Sequence, residues 1–153
     1  MHKPIAIRRG DPREAGALAL LQDSHSLMES LFPPEDNHYL SIDALCLPEI
    51  AFYVAEDAGR VLGTIALARK DGYAEVKSMF VDPAARGRGV ARALLAQLER
   101  DAKAQGLRVL RLETGHLLEA AIALYSAQGF VTCKAFGDYV ANGTSVFMEK
   151  RLG

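Results

Sequence analysis

Two arginines and two glycines alternate in Arg86-Gly87-Arg88-Gly89, directly after an apolar run that ends Phe80-Val81-Asp82-Pro83 and directly before an amphipathic Ala/Leu run. The turn therefore joins a strand to the first turn of a helix. The leading N–H groups of a helix have no internal partners and carry the positive end of its dipole. Glycine lets a ligand approach the backbone closely, and arginine adds positive charge and planar donors. Together these make an anion site, most naturally for phosphate or pyrophosphate. Two well-known phosphate loops do not fit. G-x-x-x-x-G-K-[ST] is absent. G-x-G-x-x-G fails at Arg92, and the turn lies in mid-chain rather than after an early strand.

The elements that must position this turn are readable from periodicity. Ile5 and Ile7 alternate with polar residues as a short strand, and Asp11-Pro12 reads as a helix start, Asp as cap and Pro at the first position. A helical pattern runs from there toward Leu31. The stretch Phe32-Pro33-Pro34-Glu35-Asp36-Asn37 is irregular and reads as a loop over a site. Residues 41–45 form a short helix, 51–56 and 61–69 a hairpin, and 73–81 the strand that feeds the glycine-arginine turn. From Val90 the apolar positions Val90, Ala91, Leu94, Leu95, Leu98 and Ala102 recur at helical spacing, and Gly106 closes that helix. A strand over 107–114, a helix over 117–128 closed by Gly129, and strands over 130–136 and 145–152 complete the order β-α-α-β-β-β-α-β-α-β-β. The expected fold is α/β, or α+β, on one mixed sheet.

Composition narrows the function class. The chain has 153 residues, half of them hydrophobic, which suits one folded domain spanning residues 1–153. A net charge of −1 argues against a nucleic-acid binder held by charge. Cys46 and Cys133 make neither a disulfide framework nor a metal motif, and they read as two buried thiols in a reducing cytosol. The N-terminal residues lack the apolar core of a signal peptide, and no stretch approaches about 20 apolar residues. A cytoplasmic protein without metal, membrane or nucleic-acid partner is expected.

The segment Arg86-Gly87-Arg88-Gly89-Val90-Ala91 resembles the [RQ]-x-x-G-x-[GA] signature of the GNAT family, the GCN5-related N-acetyltransferases. The strand end FVDP before it, the helix after it and the later segment ALYSAQGF resemble the same family. The resemblance implies a mixed, mostly antiparallel sheet of about seven strands flanked by helices, splayed into a V-shaped slot. It implies acetyl-CoA as acyl donor, with its pyrophosphate on the backbone amides of residues 86–91 (Arg86, Gly87, Arg88, Gly89, Val90 and Ala91) and its pantetheine arm along Phe80 and Val81. Tyr125 matches the family tyrosine that protonates the departing thiolate. The Asn that many members carry after the long helix is missing from Leu112-Glu113-Thr114-Gly115-His116, and Thr114 is the available replacement. The segments PPEDNHYL, EVKSMFV, LETG, FGDY and SVFM are similar to a narrower group of small bacterial members, the YsnE-like acetyltransferases. Ala141-Asn142-Gly143-Thr144 departs from that group before SVFM, where a different acceptor could register.

The implied reaction is direct transfer of acetyl to an amine, most simply of a small molecule. An alkylamine is neutral in only about one molecule in 10³ at pH 7, so a base must take its proton. Glu75 and Glu113 both lie on strands beside the slot, and Glu75, six residues before Val81, shares that residue's face by simple alternation. Glu35 and His38 lie in the Pro-rich loop, and Tyr139 and Ser145 are placed to line the far side of the acceptor site. Met79 points with Lys77 and Val81, as core or as pocket wall, while His25 and Met28 read as packing. A backbone amide near Val81 is the expected stabiliser of the oxyanion. The competing reading is a non-catalytic acyl-CoA-binding or sensor module, against which Tyr125 speaks. Many family members are homodimers; no residue pattern here marks an interface.

Overall fold

The computed structural model describes residues 4–153. Alternating and β-branched segments become strands, and the 3.6-residue apolar stripes become helices. In chain order these are β1 (Ala6–Arg9), α1 (Ala15–Leu31), α2 (Ile42–Leu45), β2 (Ile50–Asp57), β3 (Arg60–Arg69), β4 (Ala74–Val81), α3 (Val90–Ala104), β5 (Val109–Gly115), α4 (Glu119–Ala127), β6 (Val131–Thr132) and β7 (Ser145–Arg151). Short 3-10 turns occupy Pro34–Asp36 and Pro83–Ala85. The strands form one seven-stranded sheet in the order β1-β2-β3-β4-β5-β7-β6. Every pairing is antiparallel except β4 with β5. This is the mixed, mostly antiparallel sheet that the family resemblance implies.

Helices cover both faces, so the central strands read as apolar runs rather than clean alternations. α1 and α2 cover one face, where Ala17, Leu21 and Leu45 pack on Phe52, Val54 and Ala66. α3 covers the other, where Val90, Leu94, Leu95 and Leu98 pack on Tyr53, Leu62, Ile65 and Leu67. Each fully buried leucine there contributes about 1.5–3 kcal/mol by leaving water. Tyr125 of α4 belongs to this second cluster.

Four smaller expectations are corrected first. α1 begins at Ala15, not at Pro12: the Asp11 carboxylate accepts from the backbone N–H of Arg13 at 2.8 Å, which folds residues 11–14 into a turn of their own. The strand expected over 130–136 shrinks to Val131–Thr132, because Phe136 leaves the sheet edge to pack edge-on against Tyr73 and Phe147. The prolines do not abolish regular structure over 33–37 but start a 3-10 turn at Pro34. Cys46 and Cys133 are free thiols, but half-buried rather than buried.

The largest correction concerns β4. Phe80 pairs with Thr64 and Lys77 with Ala66, so Ser78 and Met79 together oppose Ile65. This is a β-bulge, and Ser78 adopts φ +54° within it. The extra residue resets the alternation. Glu75, Lys77 and Phe80 pair with Ala68, Ala66 and Thr64 and face α1. Val76, Met79 and Val81 pack with the α3 cluster. Glu75 therefore does not share Val81's face, and Met79 does not point with Lys77.

Candidate active site

β4 pairs with β5 only at Ala74–Leu110 and Glu75–Arg111, while β5 stays paired with β7 along its whole length. Past that short ladder the two strands part. The opening leads into a cavity of about 630 Å³ whose wall takes residues from both faces of the sheet.

At one end lies the glycine-arginine turn. Asp82 starts it by accepting from the N–H of Ala84 at 3.0 Å, and Arg60 pairs with the same carboxylate at 3.0 Å. Gly87 and Gly89 have φ +83° and +77°. A Cβ at either position would meet nothing within 4 Å, so it is the left-handed backbone, not crowding, that demands glycine. Gly89 is the N-cap of α3 and offers no side-chain cap, which leaves the first N–H groups of the helix available to an anion. Arg86 and Ala91 stand in the cavity wall, whereas Val90 is buried in the α3 cluster. Arg88 turns away and pairs with Asp57 at 3.0 Å, so it adds backbone rather than side-chain charge to the turn.

Further along, the wall holds Met79, Phe80, Val81, Thr114 and Tyr125. The Tyr125 ring packs edge-on against Phe130 with centroids 5.6 Å apart, and the residue is only 6% exposed. Burial alone pushes its phenol well above the usual tyrosine range, so it holds its proton at any ordinary pH. Thr114 is buried in the same cavity wall, on the face of β5 that carries Leu110 and Leu112. The Ser78 hydroxyl, also at this wall, is buried with no partner among the described residues.

The α1 side of the opening holds the carboxylates. Glu113 lies in the cavity wall, and Ser145 Oγ donates to its Oε2 at 2.6 Å. Glu75 is 3% exposed and lies behind the wall. The Tyr139 hydroxyl donates to its Oε2 at 2.5 Å, and Lys77 Nζ sits 3.4 Å from that oxygen. Lys77 also donates to the Tyr139 hydroxyl at 2.9 Å and to the His38 carbonyl at 2.8 Å. Burial first, and then the Glu75 bond, hold the Tyr139 phenol above its ordinary range. His38 reaches the wall, its ring edge-on to Tyr139 at 5.2 Å. Glu35 is exposed and outside the wall; its neighbour Asp36 is inside, accepting from Asn142 Nδ2 and Thr144 Oγ1 at 3.0 Å each. The Pro-rich loop and the 141–144 loop are thus tied together over the cavity.

Of the expected residues, the structure brings together Phe80, Val81, Arg86, Ala91, Thr114, Tyr125, Glu113, His38 and Met79. Glu75, Tyr139 and Ser145 stand one layer behind as hydrogen-bond partners. Lys77 and the α1 residues Leu27, Met28 and Leu31 were not expected in the wall. A lysine two residues from Glu75 in an otherwise apolar strand is the trace that Lys77 leaves in the sequence.

The pattern of the acetyltransferase (GNAT) family matches residues 18–130. This chain belongs to the GNAT acetyltransferase family. It is 41% identical over 150 residues to an IAA acetyltransferase of Azospirillum brasilense, covering 97% of this chain and 98% of that one. The N-acetyltransferase YsnE of Bacillus subtilis is 35% identical over 138 residues, covering 88% of this chain and 91% of YsnE. A solved structure from Klebsiella pneumoniae, described as an acyl-CoA N-acyltransferase, shares the fold with TM-score 0.82 at 32% identity, covering 97% and 98%. The likeness to GNAT enzymes and to YsnE read from the sequence therefore holds. As a GNAT member this chain is an acetyltransferase with acetyl-CoA as acyl donor, and the uncapped α3 N-terminus with its two left-handed glycines suits the pyrophosphate of that donor.

Proposed function

We propose that this GNAT enzyme acetylates the amine of a small molecule by direct attack in a ternary complex, with residues 1–153 acting as one catalytic domain. The observation that carries this reading is the placement of Tyr125 and Glu113 in the wall of one cavity but on opposite faces of the sheet. An acid and a base separated by the β4–β5 opening suit a reaction in which donor and acceptor arrive from different sides.

In this reading the backbone N–H groups of residues 86–91 hold the pyrophosphate, and Phe80, Val81 and Thr114 hold the pantetheine arm. Acetyl-CoA supplies an acetyl group activated as a thioester. Glu113 takes the first proton that the acceptor ammonium must lose, the amine nitrogen bonds to the acetyl carbon, and the adduct nitrogen gives its second proton to solvent. Tyr125 donates its phenol proton to sulfur as the C–S bond breaks. Glu113 is chosen over Glu75 because Glu113 alone reaches the cavity wall, while both Glu75 neighbours, Lys77 and Tyr139, hold it in place. His38 and Met79 border the acceptor and the acetyl group, Tyr139 and Ser145 position the two carboxylates, and Glu35 has no contact role. A cytoplasmic setting with no nucleic-acid or membrane partner belongs to the same reading. Its support is the net charge of −1, which offers no electrostatic pull toward nucleic acid.

The test pairs thermal unfolding with thiol release. Acetyl-CoA at about 100 times its Kd adds about 2.7 kcal/mol of stability, while ATP adds none. Tyr125→Phe keeps that stabilisation and loses kcat by about 10²–10⁴-fold. No stabilisation by acetyl-CoA, or an undiminished kcat in Tyr125→Phe, contradicts the reading.

A further inference from the structure

The acceptor end of the cavity narrows the kind of amine, on the premise that the acetyl-transfer reading above holds. Its wall is apolar on the α1 side and around the start of α4: Leu27, Met28, Leu31, Phe32, Leu117 and Leu118. Leu31 is 37% exposed and Leu117 51%, two large leucines left open at the rim of the same cavity. Apolar surface open beside a concave site marks where a ligand's apolar part goes. Phe32 is set into this wall by Gly115, where a Cβ would come within 2.1 Å of the ring carbon Cζ, so β5 gives up a side chain to admit the ring.

The Lys77 cation at this end is already engaged, and the carboxylates here are held by neutral donors or by solvent. Two cations of lysine or arginine type stand in the wall. Arg86 is at the donor end. Lys77 directs its ammonium to the His38 carbonyl, the Tyr139 hydroxyl and the Glu75 carboxylate. Among the described residues, no other lysine or arginine stands in the wall to receive a carboxylate on the acceptor. On the acidic side, both Asp36 oxygens accept from Asn142 and Thr144. Glu119, in the first turn of α4, is exposed to solvent. Glu113 has Oε2 engaged by Ser145 and stands in the cavity wall.

We propose that the acceptor is a primary monoamine on an apolar aryl or alkyl body, with no carboxylate beside the nitrogen. Its ammonium meets Glu113, and its body lies against Leu31, Phe32 and Leu117. The N–C bond to acetyl forms and the C–S bond breaks. The ammonium gives one proton to Glu113; as the C–S bond breaks, the adduct nitrogen gives its second proton to solvent, the sulfur leaves as CoA thiol with the Tyr125 proton, and solvent restores both residues with a net release of one proton. The products are the N-acetylamine and CoA.

The test measures thiol release by the full chain with saturating acetyl-CoA and four acceptors. 2-Phenylethylamine and hexylamine represent the proposed class. Phenylalanine adds only a carboxylate to the first, and spermidine replaces the apolar body with further cations. The kcat/KM for 2-phenylethylamine or hexylamine exceeds that for phenylalanine and spermidine by about 100-fold or more, since an unmatched charge must be desolvated. Leu117→Gln raises KM for the apolar amine about tenfold and leaves KM for acetyl-CoA unchanged. Equal or better use of phenylalanine or spermidine, or an unmoved KM in Leu117→Gln, overturns the assignment. If acetyl-CoA stabilises the chain but neither apolar amine releases thiol, the acceptor assignment alone falls. If acetyl-CoA gives no stabilisation, the acetyl-transfer reading falls with it.

Discussion

On the α3 side of the β4–β5 opening the site is made of backbone. Residues 86–91 are contiguous, and what they offer depends on two left-handed glycines and the uncapped first turn of α3. On the α1 side the site is made of side chains brought from far apart. Tyr139 reaches Glu75 across 64 positions of sequence, Ser145 reaches Glu113 across 32, and Thr144 reaches Asp36 across 108. The first kind of construction is strict about φ and lenient about side chains. The second is strict about partners, since a buried charge left without its partner is costly. In the proposed reading, substitutions in the 136–145 segment retune the acceptor side without touching the turn.

The comparison is broken or sharpened most strongly at the two carboxylates. Glu113→Gln lowers kcat by about 10²–10⁴-fold with little change in Tm. Glu75→Gln keeps most of kcat but lowers Tm, because the Lys77 ammonium loses its buried counter-charge. Steady-state kinetics beside thermal unfolding separate the two, and a kcat collapse in Glu75→Gln at unchanged Tm reverses the assignment.

The backbone side is tested next. Gly89→Val forces a β-branched residue to φ +77°, at a cost of about 1–3 kcal/mol, and weakens CoA binding at least about tenfold. Arg88→Ala loses only its pair with Asp57 and costs less than about 1 kcal/mol, with CoA affinity little changed. Calorimetric titration with CoA reads both; equal losses would place the Arg88 side chain, not the backbone, at the anion.

Tyr139→Phe removes one hydroxyl that serves both Glu75 and Lys77, and urea unfolding should show a loss of about 1–3 kcal/mol. A change below a few tenths would show that this network is slack. The smallest effect is one of pH. The Tyr125 and Tyr139 phenols are raised in the folded state, so their protonated forms favour folding. That stability is complete below the unfolded tyrosine value of about 10 and is lost as pH rises through the folded values. Tm therefore falls above about pH 10, and it falls less steeply in Tyr139→Phe. Identical slopes in the two proteins would remove Tyr139 from this account.

Legibility in the sequence follows the same division. The glycine-arginine turn, the apolar stripe of α3, the hairpin joining residues 51–56 to 61–69 and the order of elements along the chain all rest on local spacing, and they stand as read. The β4 bulge was hidden because YAEVKSMFV alternates well enough to pass for an unbroken strand; only the register against β3 shows that Ser78 and Met79 share one partner. That single residue moved Glu75 off the face of Val81. Glu113 and Glu75 could not be ranked from spacing, since what separates them is a tyrosine contributed by the FGDY turn and a lysine pinned to the His38 carbonyl. The apolar part of the cavity wall was equally hidden, because Leu27, Met28 and Leu31 read as an ordinary packing stripe of α1, and only the structure places them in the wall.

The central claim is that donor and acceptor enter from opposite faces of the opened sheet. A crystal structure of the full chain with bound CoA tests it most directly. The account predicts pyrophosphate on the N–H groups of residues 86–91 and the thiol on the Tyr125 side of the β4–β5 opening, with Glu113 facing it from the α1 side. A thiol lying on the α1 face among Leu31, Phe32 and Glu113, or CoA bound away from the turn, would contradict it.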